Sequence, residues 1–535
     1  MRNLVLRRIR VLPALPGVVL AALAVVAATA GAAPSVAVWH PSFVGSTEAT
    51  TYPPMAPGPA TVLPDFVGSA VAAQPLPSAN VPQNPSMGPN PFNSTHDDSW
   101  NSDTGDVTAP LGHDPVSFTS TLGMPAVLHQ NASTGTFAFD RYGRMIDAYF
   151  TGASRSVDII DPVTLEVLCS YPLGGGGVSA LGNCYFFVDD QSRIVLGKGT
   201  DQIVTLREGG TLEAPTLEVV PERSYDLSGI IPAADHIAGL LPDWKGRLWF
   251  QTAGAGGAGP IVGVIDPAAS NRVTSIRLTA GEVIWNSLSV ARDGAFVLTS
   301  QKLYRVAAGS DGKPRVVWSA PYDTTGTVKS GQYSLGSGTS PTILGGGKYV
   351  TIADNAVPMK VVVFRTKDKL ARGEKRQLGA IPVFTDLAGQ GAENSLTGYR
   401  NSIVVENVYG YGWAWDANGD LTSKPQLPGF ERIDITKSGK LRKVWENTEV
   451  ASNTVPRLST KTGLIYLVER QQDTQNDVAV YYWTALDFRT GKAVWRRLLG
   501  TGINYDGYWS TTAFSPQGAF YVACWGGLAG VKDGE

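Results

Sequence analysis

A chain of 535 residues with 60 glycines, 35 prolines and only 17% charged residues favours many short strands joined by tight turns, and disfavours helices. The formal net charge of −2 leaves no basic face for a nucleic-acid backbone, so nucleic acid is excluded as a partner. Length alone suggests several domains, unless the chain is built from repeats that close into one body.

The N-terminal segment carries Arg2, Arg7, Arg8 and Arg10 and no acidic residue ahead of an apolar run from Val11 to about Ala30. A basic start, an apolar middle and an alanine-rich exit make residues 1–33 a signal peptide, as on exported bacterial proteins, with cleavage near Ala30 to Ala37. The alternative is an uncleaved membrane anchor, for which the run is barely long enough. The protein is therefore expected outside the cell, either secreted or tethered to the outer face of the membrane. Arg7-Arg8 falls short of a full twin-arginine pattern.

Residues 34–92 are rich in Pro, Ala, Ser and Gly and read as a semi-extended linker; the alternative is that parts of the segment lie along the surface of the folded body. Residues 93–113 form a polar loop leading into that body. Its core, His96-Asp97-Asp98-Ser99-Trp100-Asn101-Ser102-Asp103, imitates a calcium loop in part but lacks the closing bidentate Glu. The choice there lies between a solvated polar turn and a loop over a ligand site, with His96 or Asp98 touching the ligand.

From residue 114 one pattern recurs: a polar turn, then an apolar strand. The turn appears around Gly143, Ser192, Gly246, Gly294, Gly347, Asn401, Gly463 and Gly518, at intervals of 48–62 residues. Each interval holds four short strands, so residues 114–535 are predicted to be an all-β, eight-bladed β-propeller of four-stranded antiparallel blades. Seven blades is the alternative count. Too few residues follow Gly518 for an outer strand, and the sequence predicts that an N-terminal strand near Val116 to Thr121 closes the ring. The longest interval holds an aromatic insertion with Tyr409, Tyr411, Trp413 and Trp415.

One unit carries Ala485-Leu486-Asp487-Phe488-Arg489-Thr490-Gly491-Lys492-Ala493-Val494-Trp495. This resembles the tryptophan-docking motif A-x-D-x-x-T-G-x-x-x-W of quinoprotein-like (pyrroloquinoline quinone, PQQ-type) propellers. Fragments recur at Ile160-Asp161-Pro162, Ile265-Asp266-Pro267 and Ser438-Gly439-Lys440 leading to Trp445. The resemblance implies that Trp495 packs between blades. It does not carry the cofactor over, because the adjacent cysteine pair that the family places over PQQ is missing here.

The first strand of each blade should line the central channel, which nominates the polar residues just ahead of each mark. These are Ser133 and the Gln130 region, Asn183, His236, Asn286, Thr339 with Ser340, Glu393 with Asn394, Asn453, and Asp506 with Ser510. Asn286, Glu393, Asn453 and Asp506 have the oxygen donors of a Ca²⁺ site, provided they converge on the axis. The alternative is a polar channel holding ordered water. Trp285 and Trp509 are placed to stack on a planar ligand. His236 reads as a hydrogen-bonded channel residue, and the candidate ligand set is His236, Trp285, Asn286, Glu393, Asn394, Asn453, Asp506 and Trp509.

Two functions follow. One is a monomeric exported binding module that takes a small molecule or an extracellular protein at the channel mouth. The other is a metal-dependent propeller enzyme, a quinoprotein-type oxidoreductase or lactonase-like hydrolase.

Overall fold

The computed structural model describes residues 43, 45, 53–121, 135–150, 154–175, 185–415 and 421–534. The proposed signal peptide, Gln130, Ser133, Asn183 and Cys184 lie outside the described residues. Cys524 is buried in the core.

Eight antiparallel sheets follow one another along the chain, each with a four-stranded core, and in the first seven that core runs in sequence order from the inside outwards. The innermost strands are Phe137–Phe139, Phe187–Val188, Ile237–Pro242, Ser289–Ala291, Thr342–Leu344, Thr397–Tyr399, Arg457–Ser459 and Thr512–Phe514. The second strands, such as Leu248–Thr252 and Ser402–Glu406, are buried on both faces and so read as continuous apolar runs rather than alternating ones. The chain is an eight-bladed β-propeller. Val116–Ser120 supplies the outer strand of the eighth blade, with Val116 opposite Lys532 and Ser120 opposite Leu528. The two ends of the propeller are thereby tied in one sheet.

The recurring turn has a local cause. In the first three blades an Asp stands four residues before an Arg: Asp140 and Arg144, Asp189 and Arg193, Asp243 and Arg247. One carboxylate oxygen of Asp140 accepts from the N–H groups of Tyr142 and Arg144, both at 2.8 Å, while the other accepts from Arg144 Nε at 2.5 Å. The residue in between adopts a left-handed backbone, at φ 87° for Gly143 and 62° for Ser192.

Blade contacts centre on tryptophans of the outer strands. Trp495 is buried with Tyr466 and Trp483 of its own blade and Phe514, Phe520 and Val522 of the next. Trp445 donates its indole N–H to the carbonyl of Phe488 in the following blade at 2.9 Å. Trp318 packs on Ile343, Val350 and Val362 across the next boundary.

The proline-rich stretch lies against the blades from Pro53 onward. Proline offers no donor but keeps its carbonyl, and the blades supply hydroxyls: Tyr482 donates to Pro64 and Tyr399 to Pro77, at 2.8 and 2.7 Å. Phe66–Gly68 pairs with Trp495–Arg497 and covers the outer edge of the seventh blade.

The polar loop is not a solvated turn. Residues 93–105 are buried, and they thread the foot of the central channel. Carbonyls from Phe92 to Asp103 accept from backbone N–H groups along the free edges of the inner strands. Phe92 accepts from Phe139, Asn93 from Val188, Ser99 from Val290, Trp100 from Ile343, Ser102 from Gly398 and Asp103 from Leu458. The polar composition thus serves a buried backbone network.

Candidate functional site

The residues that lead into the inner strands converge at the opposite mouth, around an open-sided cavity. Trp285, Asn286, Glu393, Asn394 and Trp509 line it, together with His96, Tyr185, Tyr333, Ser395, Tyr508, Ser510 and Thr511.

The wall is aromatic. Tyr508 and Trp509 are consecutive residues with φ of 44° and 49°, a conformation that bulky side chains adopt only when the surroundings impose it. Asp506 imposes it at Tyr508, whose N–H it accepts at 2.9 Å. The same carboxylate accepts from Tyr411 and Tyr481, both at 2.8 Å, and from the Asn453 side-chain amide at 2.7 Å. Trp509 donates its indole N–H to Gly331 at 3.2 Å. Behind the wall, Trp413 of the insertion packs 4.7 Å from the Tyr508 ring and 5.5 Å from that of Trp509, centre to centre. Trp285 stands free on the other side, 43% exposed.

Several polar groups on the lining have partners within the protein. Asn286 donates to the Gly338 carbonyl at 2.6 Å and accepts from Tyr185 at 3.2 Å. Asn394 donates to Glu406 at 2.9 Å. Burial holds the Glu406 carboxyl well above its ordinary range. Glu393 accepts from the Ser334 hydroxyl at 2.7 Å, and burial outweighs these hydrogen bonds, pushing its carboxyl up to about 7. Near neutral pH it is therefore shared between acid and carboxylate.

On the floor, His96 Nδ1 lies 3.0 Å from Asp103 Oδ1, and His96 Nε2 lies 3.2 Å from the Ser340 hydroxyl and 3.3 Å from that of Ser395. Arg457 pairs with Asp97 and stands 3.6 Å from Asp103.

The eight residues of the candidate ligand set thus divide. Five line the pocket. Asn453 and Asp506 are fully buried behind its aromatic wall, bonded to each other. His236 lies off the pocket, half-buried, and burial lowers its pKa against the pull of Asp235. Of the four oxygen donors expected to share a cation, Asn453 and Asp506 bond to each other, Asp506 also accepting from Tyr411 and Tyr481, while Asn286 and Glu393 line the pocket. Among the described residues no group of three or more His, Cys, Asp or Glu side chains is placed to hold a metal ion. Tyr185, Tyr333, Ser395 and Tyr508 went unseen in the sequence as site residues. The Gly-Tyr-Trp-Ser run beside Asp506 was the available signal for one of them.

Fold and site together define an eight-bladed propeller with one aromatic pocket at the mouth of a threaded channel. No family model matches the chain. A curated relative from Archaeoglobus fulgidus, itself an uncharacterized protein, is 24% identical over 423 residues, spanning 71% of this chain and 75% of the relative. Solved propellers are similar at lower identity. Chaetomium thermophilum Sqt1, solved with the N-terminus of a ribosomal protein, is 11% identical with a TM-score of 0.43, covering 76% of this chain and 97% of its own. A streptogramin B lyase is 11% identical with a TM-score of 0.36, covering 76% and 95%.

Proposed function

We propose that this protein is an exported ligand-binding propeller, and that the channel-mouth pocket takes a small organic molecule with a flat, apolar body and a polar edge. The observation that carries this reading is the strained Tyr508–Trp509 pair. Both residues are in the left-handed region, Tyr508 held there by Asp506, and both rings are backed by Trp413, which preorganises an apolar wall before any ligand arrives. Trp285 opposes that wall, and Asn286, Glu393 and Asn394 supply the polar edge. A half-ionised Glu393 suits a neutral or cationic ligand better than an anion.

Titration with indole, 4-methylumbelliferone and methyl glucoside, read by intrinsic tryptophan emission, tests the reading. Saturable one-site quenching is expected from at least one flat probe. Trp285→Ala should weaken it about tenfold without altering the fold, since that side chain is exposed. No saturation with any probe, or binding indifferent to Trp285→Ala, overturns it.

A further inference from the structure

We propose that the pocket floor carries an acyl-transfer site in which Ser395 is the nucleophile, His96 its proton acceptor and Asp103 the positioning residue, acting on carboxylic esters. The inference rests on the pocket reading above and adds chemistry to it.

His96 and Asp103 belong to one loop, seven residues apart, and they meet the distant Ser395 because residues 93–105 thread the channel. Nδ1 of His96 lies 3.0 Å from the Asp103 carboxylate. That contact places the ring proton on Nδ1 and leaves the Nε2 lone pair facing the pocket floor, the tautomer a general base requires. Ser395 Oγ is 3.3 Å from Nε2 and lines the cavity. Ser340 is as near, at 3.2 Å, but is not part of the lining, which selects Ser395 as the hydroxyl that substrate can reach. Arg457 stands 3.6 Å from Asp103. Asp97, Asn101 and Asp103 all hold positive φ (71°, 54° and 50°), so the loop around His96 is strained like the wall above it. This is the nucleophile–base–orienter arrangement that recurs on unrelated folds.

In the step, Ser395 Oγ attacks the ester carbonyl carbon while its proton passes to His96 Nε2. The bond from carbon to the alcohol oxygen then breaks, and the alcohol leaves with that proton. The acyl group is now on Oγ. Water attacks the same carbon, His96 takes its proton, and the acyl–Oγ bond breaks as Oγ recovers it. Ester and water give acid and alcohol, with no change of oxidation state.

An alkyl fluorophosphonate, which reports activated serines without knowledge of the substrate, tests the assignment on the full-length protein. Peptide mapping is expected to find the adduct on Ser395 in the folded protein and not after heat denaturation. His96→Ala should abolish labelling. Asp103→Asn should slow it about 100-fold and displace its pH profile, with partial recovery in Asp103→Glu; a merely structural carboxylate would not move the profile. Circular dichroism on each variant separates loss of labelling from loss of fold. An adduct on Ser340 alone, labelling independent of His96, or an unlabelled wild type overturns the proposal. Tryptophan quenching by 4-methylumbelliferone on the same sample distinguishes the failures. Quenching without labelling removes the acyl-transfer site alone, and loss of both removes the pocket reading as well.

Discussion

The Asp506 carboxylate accepts the backbone N–H of Tyr508 at 2.9 Å, and through this one bond a buried acid sets the direction of the pocket wall. Asp506 also satisfies two tyrosine hydroxyls and the Asn453 amide, none of which has water to turn to. Asp506→Ala leaves these donors buried and unpaired. The expected cost is about 3 kcal/mol in denaturant-induced unfolding at pH 7. Quenching by flat probes should weaken as well, because Tyr508 loses what holds it in the left-handed region. Unchanged stability would show that the tyrosines find other acceptors.

The docking motif makes a second prediction at its glycine. Gly491 has φ of 72°, and a Cβ there would lie 2.4 Å from the Trp445 ring of the preceding blade. The glycine is needed both for the turn and for the approach of that ring. Gly491→Ala should therefore cost about 2–4 kcal/mol, from the left-handed backbone and from displaced packing. At Gly373, also at positive φ but with nothing within 4 Å, alanine adds only the backbone cost, about 1 kcal/mol. The difference between the two unfolding midpoints isolates the inter-blade contact.

The blades were legible in the sequence because their turns are local chemistry. In the first three blades an Asp four residues before an Arg folds back on itself, and the other five marks are polar or glycine-bearing turns in the same place. Closure by Val116–Ser120 was legible by subtraction, since the eighth unit lacks an outer strand. Trp318 was not seen as a docking residue, because Lys313-Pro314-Arg315 ahead of it carries no Thr-Gly turn. The site was half legible. Spacing finds what leads into an inner strand, which yielded Trp285, Asn286, Glu393, Asn394 and Trp509, but it cannot tell which way a side chain points. Asn453 and Asp506 therefore looked equivalent to Glu393, although they face the tyrosines behind the wall. His96 reaches the floor through tertiary threading, which no local pattern encodes.

That threading is held by an ion pair whose loss should be costly. Arg457 is 1% exposed and pairs with Asp97, with Asp103 close by. Arg457→Met keeps the volume and strands two carboxylates in the channel, for an expected loss of about 4 kcal/mol at pH 7. Burial already raises the Asp97 pKa well above its ordinary value, even beside the arginine. In the variant it should rise further, so acid should restore part of the loss by neutralising Asp97. Unfolding midpoints of wild type and variant, measured at pH 5 and pH 7.5, should be closer at the lower pH. A gap independent of pH would show that packing, and not charge, dominates.

Glu393 gives the pH dependence a sign. Its carboxyl titrates at about 7 in the folded protein against an ordinary 4.5. Between those values the folded state holds a proton that the unfolded state has released. Stability from this group is therefore present in acid and is lost as pH rises through 7. Glu393→Gln keeps a hydrogen-bonding side chain of similar shape and removes the titration. Between pH 5 and pH 7 the wild type should lose up to about 1.4 kcal/mol per pH unit relative to the variant, the value for one proton. Asp98, raised to about 7, and Asp158, raised to about 6, both by burial, add slopes of the same sign to both proteins. The difference between wild type and Glu393→Gln, rather than either curve alone, is thus the measurement that reports the pocket carboxyl. Parallel curves would place its titration near the ordinary value and leave the pocket edge anionic at neutral pH.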